Sequence, residues 1–259
     1  MSSIKLIIAA HKLCDLPVDK MYLPVHVGKS VHPDVYLPGF QSDNEGDNIS
    51  LKNPYYCELT AIYWAWKNLV ADYIGLVHYR RYFSNSSKKD IQKVLSSQEA
   101  EKLCNEYDLI LPKKRNLLIE TVYSHYDHTF DGKHFDDVRK IIENRCPEYL
   151  SYFDKHMKER KEHLFNMFIM KKELFHKYCE WMFPILEELE TMYDLKNMDP
   201  FQARLIGRVS ERLLDVWVEK NKIKFTEVGC AYFGKNQYLK KITGALMAKF
   251  FKKKYTKSF

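Results

Sequence analysis

The chain has 259 residues, 46% hydrophobic and 29% charged, with nine glycines and nine prolines. That is enough for one large domain with a substantial core, and it excludes a disordered, collagen-like or linker-rich polymer. The net charge of +7 is local: residues 235–259 hold eight lysines and no acid, and removing those eight from 41 basic residues leaves 33 against 34 acidic ones. A near-neutral body excludes a general phosphate-backbone binder, so no nucleic-acid partner is expected. Six scattered cysteines without a CxxC pair fit a reducing compartment and individually buried thiols. The opening apolar run is too short for a signal peptide or a membrane span, so a cytoplasmic location is expected.

In chain order, IKLIIAA (4–10) reads as a buried strand and HKLCDLPVDK as a loop. MYLPVHVG is a second short strand, followed by a loop over 28–54. Asn53-Pro54 signals a helix start, and an amphipathic helix follows over 55–69. DYIGLVHYRRYF (72–83) is a strand running from an apolar core into a polar end. A helix over 91–107 and a strand over 107–114 come next. Helices are expected over 121–130 and 135–160, then a strand over 164–172 flowing into a helix over 173–193. After a break at DLKNMDP, a helix over 201–221 leads to a last strand over 223–233. Alternating strands and helices predict one α/β domain over 1–234 with a mainly parallel or mixed sheet, plus a basic tail over 235–259.

In open α/β sheets ligands gather at the carboxyl ends of strands. Three polar clusters fall there. Ala10-His11-Lys12 follows the first strand and is either a connecting loop or part of a site. In GLVHYRRYF the strand ends in His78, Tyr79, Arg80, Arg81 and Tyr82. Adjacent guanidiniums offer paired donors to phosphate oxygens, and tyrosines stack on a base or sugar; the structural alternative is neutralisation by carboxylates. The third cluster joins Asn166 to the helix carrying Gln202, Arg204, Arg208, Glu211 and Arg212, where internal Glu–Arg pairing on a solvated face is the strong alternative for Arg208 and Arg212. Asp199 is either a helix cap or a catalytic carboxylate. Glu58, set among aromatic core residues, is paired with an arginine such as Arg80 or used on a sugar hydroxyl. His125 and His128 are spaced to share a helix face, but a third ligand and an HExxH pattern are lacking, so a polar lid or acceptor surface is favoured over a metal site.

The runs NISLKNPYYCELTAIYWAWKN, DYIGLVHYRRYF, LFNMFIMKKELFHKYCEWMFPIL and DPFQARLIGRVSERLLDVW, in that order, resemble a bacterial capsular and exopolysaccharide glycosyltransferase family long known only as a domain of unknown function. Some of its members are galactosyl- or galactofuranosyltransferases of O-antigen and capsule synthesis. The resemblance covers about residues 4–234. It implies a GT-A-like nucleotide-sugar-binding domain, with a central mixed sheet flanked by helices. In metal-dependent enzymes of that fold a strand end carries Asp-x-Asp; the matching position here looks like His78-Tyr79-Arg80. The resemblance therefore implies that Arg80 and Arg81 supply the charge of a metal ion, with no cofactor favoured over manganese or magnesium.

It further implies a UDP-sugar donor held by Ala10, His11, Lys12, Val27, Gly28, His78 and Tyr79, with Asn166 and Gln202 on sugar hydroxyls. Asp199 is the first candidate for the base that deprotonates an acceptor hydroxyl, with Glu211 and Glu58 behind it. His125 and His128 would face a lipid-linked oligosaccharide. The tail interleaves lysines with Leu239, Ile242, Leu246, Met247, Phe250 and Phe251, the pattern of an amphipathic helix on an anionic membrane. Peripheral attachment to the inner face of the cell membrane is the expectation. The competing reading is a non-catalytic nucleotide- or carbohydrate-binding module.

Overall fold

The computed structural model describes residues 2–86 and 89–234. The basic tail over 235–259 lies outside the described residues. IKLIIAA forms β1 (Ile4–Ala10), with all but one residue buried, as a strand covered on both faces must be. β2 (Tyr22–His26) runs parallel to it, and the two-residue β3 (Gln41–Ser42) parallel to β2. The helix expected over 55–69 is two, α1 (Asn53–Tyr56) and α2 (Leu59–Asn68), because Cys57 between them has φ 52°. A left-handed residue cannot continue a right-handed helix.

β4 (Tyr73–His78) pairs parallel to β1. The strand expected to continue to Phe83 instead turns at Tyr79-Arg80, and β5 (Arg81–Phe83) returns antiparallel with His78 opposite Arg81. α3 (Ser97–Cys104) starts late, where Ser96 and Glu99 close a capping box. β6 (Leu109–Pro112), β7 (Arg115–Asn116), α4 (Val122–Thr129) and α5 (Lys133–Arg145) follow. Pro147 breaks the long helix expected over 135–160, and α6 (Leu150–His156) resumes it.

β8 (Lys161–Glu162) forms a small ribbon with β7. β9 (Phe168–Lys171) starts four residues later than expected and is antiparallel to both β4 and β6. α7 (Lys172–Thr191) and α8 (Leu205–Lys220) pack together. Gly229 splits the last expected strand into β10 (Phe225–Val228), parallel to β6, and β11 (Cys230–Tyr232), antiparallel to β5.

The main sheet runs β10-β6-β9-β4-β1-β2-β3, with β5 and β11 branching from β4. It is mixed because β9 inserts between two parallel groups. Alternation along β1 serves both faces: Ile7 and Ala9 join the large core under α2, α5, α7 and α8, while Leu6 and Ile8 join a smaller core with Tyr22, Tyr82 and Ala100. Gly75 sits where β4 passes between β1 and β9; a Cβ there would lie 2.5 Å from the Phe168 carbonyl oxygen, so only glycine fits without displacing backbone. Cys104, Cys146 and Cys179 are buried as expected, whereas Cys230 is exposed, since β11 lies on the outer branch.

His134, 3% exposed, shares a 3.0 Å hydrogen bond with the Tyr126 hydroxyl. Burial pushes its pKa from 6.5 down to about 4. The unfolded chain therefore binds a proton between those values that the folded chain refuses, and stability falls as pH drops from 6.5 towards 4. The loss should be on the order of 3 kcal/mol. Urea unfolding of wild type and His134→Gln at pH 7 and pH 4.5 checks this: the variant should lose clearly less stability between the two conditions.

Candidate active site

Strand order reverses at β1, with β2 on one side and β4 on the other, and the carboxyl ends of these strands open a crevice. It is a cleft of about 1000 Å³ that extends to α4, α8 and the β7–β8 ribbon.

Ala9, His11 and Val27 line the strand-end wall, and Ala10 is buried behind it. The His11 ring meets Tyr79 edge to face at 5.3 Å, and the Lys12 ammonium lies 5.5 Å from the same ring. Burial, followed by the charges of Lys12 and Arg80, lowers the His11 pKa, which favours a neutral imidazole at pH 7. Gly28 shapes this wall rather than lining it. Its φ is +71°, and a Cβ would come within 2.6 Å of the Asn53 amide oxygen. Its N–H donates to Asp43, a fully buried carboxylate that also accepts from the Lys29 N–H and the Ser50 and Thr60 hydroxyls. Every one of those bonds fixes the turn after β2.

The β4–β5 hairpin places four expected residues together. His78 Nε2 lies 2.6 Å from the Phe165 carbonyl oxygen. The Arg80 guanidinium lies 4.8 Å from the Tyr79 ring, and that of Arg81 lies 4.1 Å from Phe165 and 5.3 Å from Tyr232. Neither arginine forms an ion pair with a carboxylate among the described residues. The suggested Glu58–Arg80 pair is absent there: Glu58 accepts instead from the Asn166 amide at 2.8 Å.

Asn166 is thereby reassigned. It is 3% exposed, and its amide group donates to Glu58 and, at 3.0 Å, to the Ser210 hydroxyl. It positions a carboxylate rather than offering those donors to a sugar. Phe165 and Asn166 both have positive φ, 72° and 51°, and the Phe165 N–H donates to Glu211 at 3.0 Å. Glu58 and Glu211 thus hang from one left-handed turn and both line the cleft. Glu211 is also 3.5 Å from the Arg212 guanidinium.

Asp199 does not reach this site. It is exposed, and one carboxylate oxygen accepts from the backbone N–H of Phe201 and of Gln202, at 2.9 and 3.3 Å. It is a cap, and neither it nor Gln202 lines the cleft. A sequence places an Asp-Pro at a helix entrance but does not say which way the entrance faces.

Sequence reasoning weighed internal Glu–Arg pairing on a solvated face for Arg208 and Arg212; the pairing holds for Arg212, with Glu211 and Glu162, but Arg212 is buried and Arg208 half-buried. Arg204, just before α8, and Arg208 and Arg212 on it form one stripe along the cleft. Their i, i+4 spacing was the available signal. Arg204 donates to the Cys57 sulfur at 3.1 Å. Arg208 stacks between Phe130 and Phe201, 4.1 Å from each ring, and burial lowers its pKa to about 10, leaving it charged at pH 7. Arg212 is buried and 3.1 Å from the fully buried Glu162. Arg212→Met would strand that carboxylate, costing about 3–5 kcal/mol. Urea unfolding at pH 7 measures it, and a loss under about 1 kcal/mol would show that Glu162 finds water or another partner.

His125 and His128 each place Nδ1 on Glu120, at 2.8 and 2.6 Å, and only His125 lines the cleft. No three His, Cys, Asp or Glu side chains among the described residues come together as a metal shell. The charged groups lining the cleft are six arginines and two carboxylates, Glu58 and Glu211. No helix among the described residues is long and apolar enough to cross a membrane. Arg115, on β7, also faces the cleft; nothing in the run Lys113-Lys114-Arg115 marked it.

The fold is similar to the apo structure of the WbbM bifunctional glycosyltransferase, with a TM-score of 0.83 and 30% sequence identity over 90% of this chain and 46% of that one. The chain therefore spans about half the length of that relative. No curated protein matches it. Residues 5–222 match a family known by its domain, covering the β1–β4 crevice and the arginine stripe of α8 alike, and the chain belongs to that family, described as a domain of unknown function, DUF4422.

Proposed function

We propose that the protein is a glycosyltransferase that moves a sugar from a nucleotide diphosphate onto an acceptor hydroxyl. One observation carries this: two arginines without carboxylate partners among the described residues follow β4 in the same crevice as two carboxylates held by a single turn. Arg80 and Arg81 bind the diphosphate and stabilise the charge it gains on leaving. His11, Tyr79 and Val27 form the nucleoside wall. For transfer with inversion, the acceptor oxygen bonds to the anomeric carbon, the bond from that carbon to the diphosphate breaks, and the acceptor proton passes to a carboxylate.

Glu58 suits that last role better than Glu211. Its known partner is a neutral amide, whereas Glu211 lies beside the Arg212 cation. The finer reading is a galactose, pyranose or furanose, passed from UDP to a lipid-linked glycan of capsule or O-antigen synthesis. It is supported by the family resemblance, and attachment to an anionic membrane through residues 235–259 would suit such an acceptor.

The test is a thermal-shift screen of UDP-sugars with and without manganese, followed by assay of UDP release, since a ligand of the native state alone raises its melting temperature. A shift with UDP-galactose and turnover with acceptor is the expected result. A shift with neither transfer nor donor hydrolysis would favour the binding-module alternative.

A further inference from the structure

Six arginines line the cleft against two carboxylates, Glu58 and Glu211. That is more positive charge than one nucleotide diphosphate needs, and it is spread over two walls. Arg80 and Arg81 stand at the end of β4, where Arg81 stacks on Phe165. Arg208 turns the other way, into the aromatic clamp of Phe130 and Phe201, and Phe130 directly follows α4. Arg115 reaches the cleft from the β7–β8 ribbon and, with Arg212, bears electrostatically on His125 of α4.

Arg212 is neutralised by Glu162. Arg208 and Arg115 form no ion pair among the described residues, and Arg208 Nη1 is buried without a hydrogen-bond partner. A half-buried cation without a counter-ion is costly, and an arriving anion offsets that cost. The guanidinium fork fits a phosphate, and stacking between two rings fixes its plane in advance.

We propose that Arg115 and Arg208 form a second oxyanion site, which holds a phosphate group carried by the acceptor while the donor diphosphate occupies Arg80 and Arg81. The inference deepens the transferase reading and rests on it. His125 lies beside this site, with Nδ1 held by Glu120 and Nε2 left to accept from an acceptor hydroxyl. An acceptor so gripped is oriented by its anionic end, with its sugar hydroxyl directed towards the two carboxylates.

The test uses the full chain saturated with UDP and titrated calorimetrically with inorganic pyrophosphate. A second binding event is expected, weakened at least tenfold in Arg115→Gln and in Arg208→Gln, while UDP affinity stays within about twofold. Arg115 is exposed on the ribbon, so its variant keeps the test decisive if Arg208→Gln unfolds. Pyrophosphate that binds only by displacing UDP would overturn the second site, as would variants that weaken both ligands alike. Failure of UDP itself to bind would instead count against the transferase reading. Calorimetric titration of the same UDP-saturated chain with a water-soluble short-chain phosphatidic acid, weakened at least tenfold in Arg115→Gln, identifies a lipid-borne phosphate; a response to pyrophosphate alone identifies a soluble one, and either supports the site.

Discussion

Replacing Arg80 and Arg81 together with alanine should weaken UDP binding by at least about a hundredfold, since each charge-assisted contact contributes about 1.5–3 kcal/mol. Ring contacts hold the two guanidiniums in place: Arg80 rests on Tyr79, and Arg81 lies between Phe165 and Tyr232. Neither has a carboxylate partner among the described residues, so removing them breaks no ion pair there, and the ligand-free variant should remain folded. Calorimetric titration with UDP is the measurement. Arg80→Lys separates charge from geometry, because an ammonium keeps the charge but loses the two-pronged fit. Undiminished UDP affinity in the double variant would move the diphosphate elsewhere in the cleft.

Glu58→Gln should lower the rate of transfer by about 10²–10⁴ while leaving UDP affinity unchanged, because a general base acts on the acceptor proton and not on donor binding. Glutamine keeps the shape and can still accept from Asn166, so the effect isolates the charge. Asp199→Asn, at an exposed cap outside the cleft, should keep transfer within about tenfold of wild type, below the range of base removal. Single-turnover assays of all three proteins with one UDP-sugar and acceptor decide between them. If Asp199→Asn falls as far as Glu58→Gln, the cap must leave its helix to reach the acceptor.

Much of the architecture was legible from residue pattern. IKLIIAA could only be a doubly covered strand, and β4 revealed its polar end in one line of sequence. Breaks at single backbone positions were not legible. Cys57, Phe165 and Asn166 adopt positive φ without being glycine; no local preference announces the first two, and asparagine's tolerance of positive φ does not by itself locate a turn at Asn166. Those are the residues that aim Glu58 and Glu211 into the cleft. The hairpin at Tyr79-Arg80 was hidden for a related reason: the two residues carry no glycine or asparagine of the usual tight turn. At the cleft, His11, Val27, His78, Tyr79, Arg80 and Arg81 fall where fold class predicts that strands deliver ligands, whereas Ala10, Lys12 and Gly28 stand off its lining. Arg115, Arg208 and the demotion of Asp199 depend on which face of an element meets which neighbour, and that is set by tertiary packing.

β11 carries a consequence for anyone shortening this chain. It pairs with β5, placing Tyr232 opposite Arg81, and the Phe233 N–H donates to the carbonyl of Arg80. Ending the polypeptide after Lys222 would keep α1–α8 yet strip β10 and β11, uncovering the edge of β6 and unlatching the hairpin that presents both guanidiniums. Such a fragment should fold with a helical spectrum near that of the whole protein and be blind to UDP.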